Sequence, residues 1–320
     1  MTEQTERSLP RLAAIVGPTA GGKTALSVAV AKRSGGEIIC LDSMQIYSGM
    51  EIGNAAPTDP EKQGVPHHLF GFADPRLPFS CADYAALAER VIEEINARGK
   101  LPILVGGTGL YLDSLLFGCG DASAAPDTAY REELFALAER EGNGALHEML
   151  REKDPEAAAA IHPNNVKRVV RALEICRACG TKSDYDRRSR GKIRYDFCGV
   201  YLCFRDREAL YRRIDKRVDT MLSLGLADEA RRLLAEGALD TGTTASQAIG
   251  YKELLPYLRG EETSEEAAER LRSATRRYAK RQITWFSQKD YLTRLEADDL
   301  CTPEGFNRAV ESTAELFSGK

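Results

Sequence analysis

Near the start of the chain, Gly17-Pro-Thr-Ala-Gly-Gly-Lys-Thr24 satisfies the pattern GxxxxGK[ST] at every fixed position. The chemistry that pattern serves is phosphate binding. Glycines let backbone N–H groups turn inward around phosphate oxygens, and the N-terminus of the following helix adds positive partial charge. Lys23 supplies a mobile point charge, and the Thr24 hydroxyl suits Mg²⁺. Gly17, Pro18, Thr19, Ala20, Gly21, Gly22, Lys23 and Thr24 are therefore the expected phosphate-binding set, with Mg²⁺ expected as cofactor at Thr24.

The motif does not say which phosphate compound binds. A nucleotide hydrolase of this type ends an apolar strand on an acid, whereas Ile103-Leu-Val105 runs into Gly-Gly-Thr-Gly109 with none. That argues against an ATPase and leaves a small-molecule kinase open. The carboxylate that the sequence does place beside the loop is Asp42, at the end of the strand-like Glu37-Ile-Ile-Cys-Leu-Asp42. Its roles are a general base, a Mg²⁺ ligand or a helix N-cap. Adjacent His67-His68 cannot readily share one ion, so structural roles are expected for them and for His147 and His162. Cys176/Cys179 and Cys198/Cys203 imitate a zinc ribbon loosely, but the second pair has the wrong spacing, and buried reduced thiols are expected.

These residues need strands and helices to position them. Leu12–Val16, Glu37–Asp42 and Leu101–Val105 read as strands; Lys23–Arg33 and Ser80–Arg98 read as helices, the latter capped by Ser80 and stopped at Gly99. Strands alternating with helices imply a parallel sheet, whose ligands sit at the carboxyl ends of the strands. Those ends carry the glycine-rich loop, Asp42 and Thr108, so all three should meet in one crevice. From 121 to 194 the pattern is helical. Tyr195–Phe204 restores a strand, helices follow, and a late strand is expected at Tyr291–Leu295.

The chain has 320 residues, 43% hydrophobic and 29% charged, with net charge -4 and a pI near 5.8. The length suits one large domain plus an insertion or appendage. The charge excludes a global basic field, so nucleic acid would need local patches. Between Lys167 and Arg194 stand ten basic residues, Arg188 and Arg190 among them, against three acids, with Lys167, Arg168 and Arg171 sharing a helix face. This is either a phosphate footprint or a solvated helix and loop. A second basic stretch, Arg270–Trp285, carries Arg276, Arg277, Lys280 and Arg281, with Tyr278 and Trp285 on one face for core packing or base stacking. Met1–Arg11 is polar and unlike a signal peptide, and no apolar run spans a membrane; a cytoplasmic protein is expected.

Asp42-Ser-Met-Gln-Ile-Tyr47, Gly53-Asn-Ala-Ala-Pro57, Val65-Pro-His-His-Leu69 and Gly106-Gly-Thr-Gly-Leu-Tyr111 extend the phosphate motif. With Ile161-His-Pro-Asn-Asn165, Gln247-Ala-Ile-Gly-Tyr251 and Lys280-Arg-Gln-Ile-Thr-Trp285, nearly the whole chain resembles the bacterial tRNA dimethylallyltransferases. The resemblance implies an α/β fold with a P-loop NTPase-like parallel sheet and flanking helices over 9–120 and 195–318. It also implies C-terminal helices and a basic helical insertion over 121–194 for tRNA. It further implies transfer of a dimethylallyl group from dimethylallyl pyrophosphate to N6 of the adenine at tRNA position 37, by a monomer. The loop would then hold pyrophosphate rather than a nucleotide.

On the same resemblance Asp42 is the general base, Thr108 bonds the bridging oxygen, and Arg217 is directed at the pyrophosphate. From the residues alone, Thr108 equally suits a strand-to-helix cap and Arg217 a surface charge. The implied tRNA contacts are Asp42, Ser43, Met44 and Gln45 at the target nucleotide, then Arg131, Lys167, Arg168, Val169, Val170 and Arg171. Gln247, Ala248, Ile249, Gly250, Tyr251, Lys252, Lys280 and Arg281 complete them. Many relatives carry arginine where Gln247 stands, and Arg131 sits one residue further from Thr108 than in some. The rival readings are an adenylate prenyltransferase, a P-loop small-molecule kinase and a non-catalytic RNA-binding module.

Overall fold

The computed structural model describes residues 9–118, 127–189, 191–240 and 243–319. Its sheet is built from β1 (Arg11–Val16), β2 (Gly36–Leu41), β3 (His67–His68), β4 (Leu101–Gly106), β5 (Asp196–Cys203) and β6 (Thr293–Glu296). All six are parallel, in the order β3-β2-β4-β1-β5-β6. β1, β2 and β4 are apolar on both faces and buried almost throughout, as strands covered by helices on either side must be. Each fully buried Leu or Ile there contributes about 1.5–3 kcal/mol. β3 is a pairing that the sequence reading did not anticipate. Its two residues bond β2, and the short run carries histidines rather than β-branched residues.

The connecting helices follow in chain order. They are α1 (Lys23–Ser34), α2 (Asp59–Lys62), α3 (Cys81–Ala97), α4 (Gly109–Phe117), α5 (Thr128–Glu141), α6 (Asn143–Lys153) and α7 (Pro155–Ala160). Then come α8 (Val166–Cys179), α9 (Lys182–Ser189), α10 (Arg207–Ser223), α11 (Leu226–Ala235), α12 (Leu255–Leu258), α13 (Ser264–Phe286) and α14 (Pro303–Phe317). α3 starts on a capping box in which Ser80 accepts from the Asp83 amide and the Asp83 carboxylate answers Ser80. On one face of the sheet Ala13, Ile15, Ile38, Ile103 and Leu202 pack with Leu26 and Val30 of α1 and with Ala309 and Phe317 of α14. Arg11 donates to the Phe317 carbonyl at 2.8 Å. Beside the sheet, α10, α11 and α13 share a second core with Ile46, Tyr47 and Met50.

The chain divides into two compact units, Met1–Leu112 with Tyr195–Lys320, and Asp113–Arg194. The boundary expected at Asp121 lies outside the described residues, as do Met1–Ser8 and Arg190 and the side chain of Arg188. The regular elements among the second unit's described residues are all helices. Leu134, Leu146, Leu150, Val169, Val170 and Leu173 form its core. Buried Asp154 caps α7 through the Ala157 amide at 3.0 Å and holds α9 through the Ser183 amide at 2.7 Å and hydroxyl at 2.8 Å.

Candidate active site

The sheet order decides the site. β2, β4 and β1 are neighbours, so the loops leaving their carboxyl ends are neighbours as well. Gly107 and Thr108, after β4, both donate their amides to the Leu41 carbonyl, at 3.2 and 3.1 Å. The Thr108 hydroxyl accepts the Ser43 amide at 2.9 Å. Asp42 accepts the Met44 amide at 2.9 Å, which closes the turn that follows β2.

On the third strand end, Gly22 takes φ 95° and starts α1, so Lys23 stands in the first helical position. Ala20 is held at φ 59°, a region alanine seldom adopts, so the loop's shape is imposed by its surroundings. Lys23 bends back and donates to the Gly17 and Pro18 carbonyls at 3.0 and 2.8 Å. Not every loop amide turns inward, contrary to the expectation from the motif. Gly21 donates to Pro18 O at 3.1 Å, and Thr19 to the side chain of Gln282 at 2.8 Å. Both amides are thereby taken from the set available to phosphate.

A cavity of about 190 Å³ lies here. Thr19, Asp42, Ser43, Arg217 and Tyr278 give it polar walls; Met44, Val218, Met221 and Ile249 give it an apolar side. Burial, followed by the charge of Arg217, pushes Lys23 down to about 7, while Asp42 pulls it upward. Burial likewise depresses Arg217, opposed first by Asp42. Lys23, Arg217 and Asp42 thus feel one another's charge at the same end of the sheet. The Arg217 guanidinium reaches only the Asn54 and Ala55 carbonyls, each at 3.4 Å. Those carbonyls also take the Gln45 side-chain amide, at 2.9 and 3.1 Å, so Gln45 has spent its donors inside the protein rather than holding them for a base.

The Thr24 hydroxyl, half-buried at the start of α1, makes no hydrogen bond among the described residues. No group of three or more His, Cys, Asp or Glu that could hold a metal occurs among the described residues. Mg²⁺ takes few protein ligands and completes its shell with phosphate oxygens and water. The donor set fits an ion that arrives with a phosphate compound.

The remaining expected contacts separate into available and sequestered. Gln247, Lys252 and Arg281 are exposed on the cavity rim, and Lys280 is exposed nearby in sequence on α13. Ala248, Gly250 and Tyr251 are buried. Tyr251 donates to Glu229 at 2.8 Å and to the Met50 carbonyl at 3.0 Å, and Glu229 also accepts the Ile52 and Gly53 amides. The Tyr251 side chain therefore serves the scaffold and not a nucleic acid, while buried Ala248 lines the cavity wall. Val169 and Val170 call for the same correction, since both point into the helical core. Arg131 and Arg171 both pair with buried Glu174, at 2.8 and 3.5 Å, while Lys167 and Arg168 are exposed. His68 bonds Glu37 at 2.7 Å, His67 the Val65 carbonyl at 2.8 Å, and buried His147 the Ala158 and Ile161 carbonyls. His162 accepts the Asn164 amide at 3.2 Å. Cys176, Cys179, Cys198 and Cys203 are free thiols.

Sequence reasoning missed two residues, Arg213 and Gln282, and left the role of Tyr278 and Trp285 open. Arg213, one turn before Arg217 on α10, brings its guanidinium to 3.0 Å from where a Cβ on Gly22 would lie. Tyr278 lines the cavity with its hydroxyl in reach of Thr108 and Gln282, and Trp285 is 37% exposed, so neither ring is simple core filler. Gln282 is the second of the missed residues. The signal for it was a glutamine on the inward stripe Leu271, Ala274, Tyr278, Gln282, since a polar side chain in such a place must be bonded.

A family model described as IPP transferase matches residues 45–289, and one described as Isopentenyl transferase matches 10–70. The chain belongs to the IPP transferase family. Among curated members, the tRNA dimethylallyltransferase of Geobacillus thermodenitrificans (strain NG80-2) is 46% identical over 97% of both chains. That of Bacillus subtilis (strain 168) is 49% identical over 87% of this chain and 88% of its own. Among solved family structures, the full-length tRNA isopentenylpyrophosphate transferase of Bacillus halodurans superposes with a TM-score of 0.70 at 45% identity, covering 97% of this chain and 98% of that one. A eukaryotic dimethylallyltransferase acting on tRNA gives 0.84 at 30% identity, over 97% of this chain and 80% of its own. The six-stranded parallel sheet is thus the IPP transferase fold. No described helix is long and apolar enough to cross a membrane.

Proposed function

We propose that this protein moves the dimethylallyl group of dimethylallyl pyrophosphate onto N6 of the adenine at tRNA position 37, releasing pyrophosphate. The observation that carries the reading is the meeting of an acid, Asp42, with the half-buried Arg217 in one cavity, within the electrostatic reach of Lys23 on the adjoining loop. Cations without carboxylate partners suit a diphosphate, and the acid beside them suits a nucleophile that must lose a proton.

The adenine amine is a poor nucleophile because its lone pair is delocalised into the ring. As the new C–N bond forms at the allylic carbon, Asp42 accepts the amine proton. The allylic C–O bond breaks, and its electrons go to the pyrophosphate oxygens. Lys23, Arg217 and the amides at the start of α1 stabilise that growing charge, and they are in place before it develops. Thr108, whose hydroxyl is bonded to the Ser43 amide beside Asp42, serves the bridging oxygen. Thr24 would hold Mg²⁺, which when bound would supply further neutralisation of the leaving group. The apolar wall of Met44, Val218, Met221 and Ile249 suits the five-carbon chain and keeps water from the allylic carbon.

The tRNA anticodon stem-loop presents its target base to Asp42, Ser43 and Met44, flipped out of its stack so that the amine reaches a recessed carboxylate. Gln247, Lys252, Lys280 and Arg281 contact the backbone near the cavity, and Lys167 and Arg168 do so on the helical unit. The enzyme works in the cytoplasm as a monomer. Labelled dimethylallyl pyrophosphate with Mg²⁺, offered unmodified tRNA, AMP or ATP, tests all of this. Label is expected in tRNA. Label in AMP alone overturns the choice of acceptor, and phosphate released from ATP without prenyl transfer supports a kinase instead.

A further inference from the structure

We infer that Gln282 is a positioning residue for prenyl transfer, the side chain that fixes the distance between the pyrophosphate loop and the Asp42–Thr108 side of the cavity. The inference rests on the function proposed above.

The three strand ends are paired, Val16 with Gly106 and Leu41 with Gly106, but the loops beyond them are not equally fastened. The Gly107–Thr108 loop is bound to the end of β2 by the two amide bonds to Leu41 O and by the Ser43–Thr108 contact. Among the described residues, the loop after β1 makes no comparable hydrogen bond to either loop. What joins it is Gln282, 4% exposed on α13. Its Oε1 accepts the Thr19 amide at 2.8 Å, and its Nε2 donates to the Gly107 carbonyl at 3.1 Å. One carboxamide thus spans the two loops as acceptor on one side and donor on the other. The fit is close: a Cβ on Gly107 would stand 1.9 Å from Nε2, so Gly107 is the residue that lets the amide in. Tyr278, one turn earlier, has its hydroxyl in reach of both Gln282 and Thr108.

The chemistry needs this distance held. In-line displacement requires the pyrophosphate, the allylic carbon and the amine in register, and an error near 1 Å costs about 10²-fold in rate. Lys23 and the start of α1 travel with the β1 loop, whereas Asp42 and Thr108 travel with the other two. Gln282 touches neither substrate in this account; it acts through the loops.

Gln282→Met removes both bonds at nearly constant volume, and Gln282→Glu keeps the acceptor while replacing the donor with a second acceptor facing the Gly107 carbonyl. Both variants are assayed for prenyl transfer to tRNA beside the unaltered protein, with melting temperature measured in parallel. We expect kcat to fall at least tenfold in both, with the protein still folded at the assay temperature. Gln282→Glu should also gain a pH dependence absent from the unaltered protein. Its activity relative to that protein rises as pH falls, because the protonated carboxyl can again donate to Gly107 O. If Gln282→Met does not fold, the pH profile of Gln282→Glu decides by itself. A Gln282→Glu variant with kcat and donor KM within twofold of the unaltered protein at every pH overturns the inference. Failure of the unaltered protein to prenylate tRNA overturns the underlying function instead.

Discussion

Positive charge is handled in opposite ways in the two units. In the sheet unit Lys23 and Arg217 are sequestered, and their hydrogen bonds go to backbone carbonyls. Burial depresses both pKa values, so each group is costly until an anion arrives. In the helical unit several arginines are partly or largely exposed and already matched, Arg168 being an exception among the described residues. Arg131 and Arg171 share Glu174, Arg177 lies 3.5 Å from Asp127, and Arg187 lies 2.7 Å from Glu156 and 3.4 Å from Asp184; Lys182 pairs with Asp186. A surface pair of this kind contributes about 0–1 kcal/mol. The difference teaches that a charge count locates basic residues but not available ones. Availability depends on what the fold sets opposite each group.

The comparison can be broken most decisively at its centre. Asp42→Ala is expected to lower kcat by roughly 10²–10⁴ while leaving donor binding nearly intact. Unchanged turnover would remove the acid from the mechanism and leave the half-buried cations without a reaction. Next in size is Arg217→Ala. A hydrogen bond to a charged group contributes about 1.5–3 kcal/mol, so donor KM should rise roughly 10- to 100-fold, measured by steady-state kinetics. Normal KM and kcat would place Arg217 outside the site.

A smaller effect sharpens the contrast through pH. With Lys23 near 7 in the free protein, its ammonium is present below that pH and lost above it. A bound diphosphate raises the value, so binding takes up a proton in the window just above pH 7, and affinity declines as pH rises through it. Calorimetry at pH 8 in two buffers of different ionisation enthalpy should show uptake that Lys23→Met abolishes; equal uptake in both proteins would count against the account. The smallest effect belongs to the helical unit. Lys167→Ala or Arg168→Ala should weaken tRNA binding severalfold and reduce the slope of log K against log salt by about 1, with kcat unchanged. An equal loss from Arg177→Ala, whose partner is Asp127, would show that pairing does not set availability.

Much of the sheet was legible because its signals are local. The strands around Leu12–Val16, Glu37–Leu41 and Leu101–Val105 each end in the residues that mark the site, and parallel order then brings those ends together. The fastening of the site was not legible in that way. Gln282 lies 263 positions from Thr19 and 175 from Gly107, and helical periodicity reports only that it faces inward. Glu229 is similar: it bonds Ile52 and Gly53 from 177 and 176 positions away. The burial of Val169 and Val170 was in the sequence, since they share an apolar stripe with Leu173 and Cys176. The basic surplus between Lys167 and Arg194 was overstated because two of its partners, Asp127 and Glu156, stand outside that window.

The bond from Arg11 to Phe317, with α14 packed beside α1, closes the sheet unit across 306 positions. A ribosome must therefore deliver almost all of this sequence before the sheet can be roofed on that face. The contiguous helices of Asp113–Arg194 need no such wait, and their short-range contacts can form while later strands are still being made. Stalled synthesis after β5 should thus yield a protease-resistant helical fragment attached to an unfinished, protease-sensitive sheet.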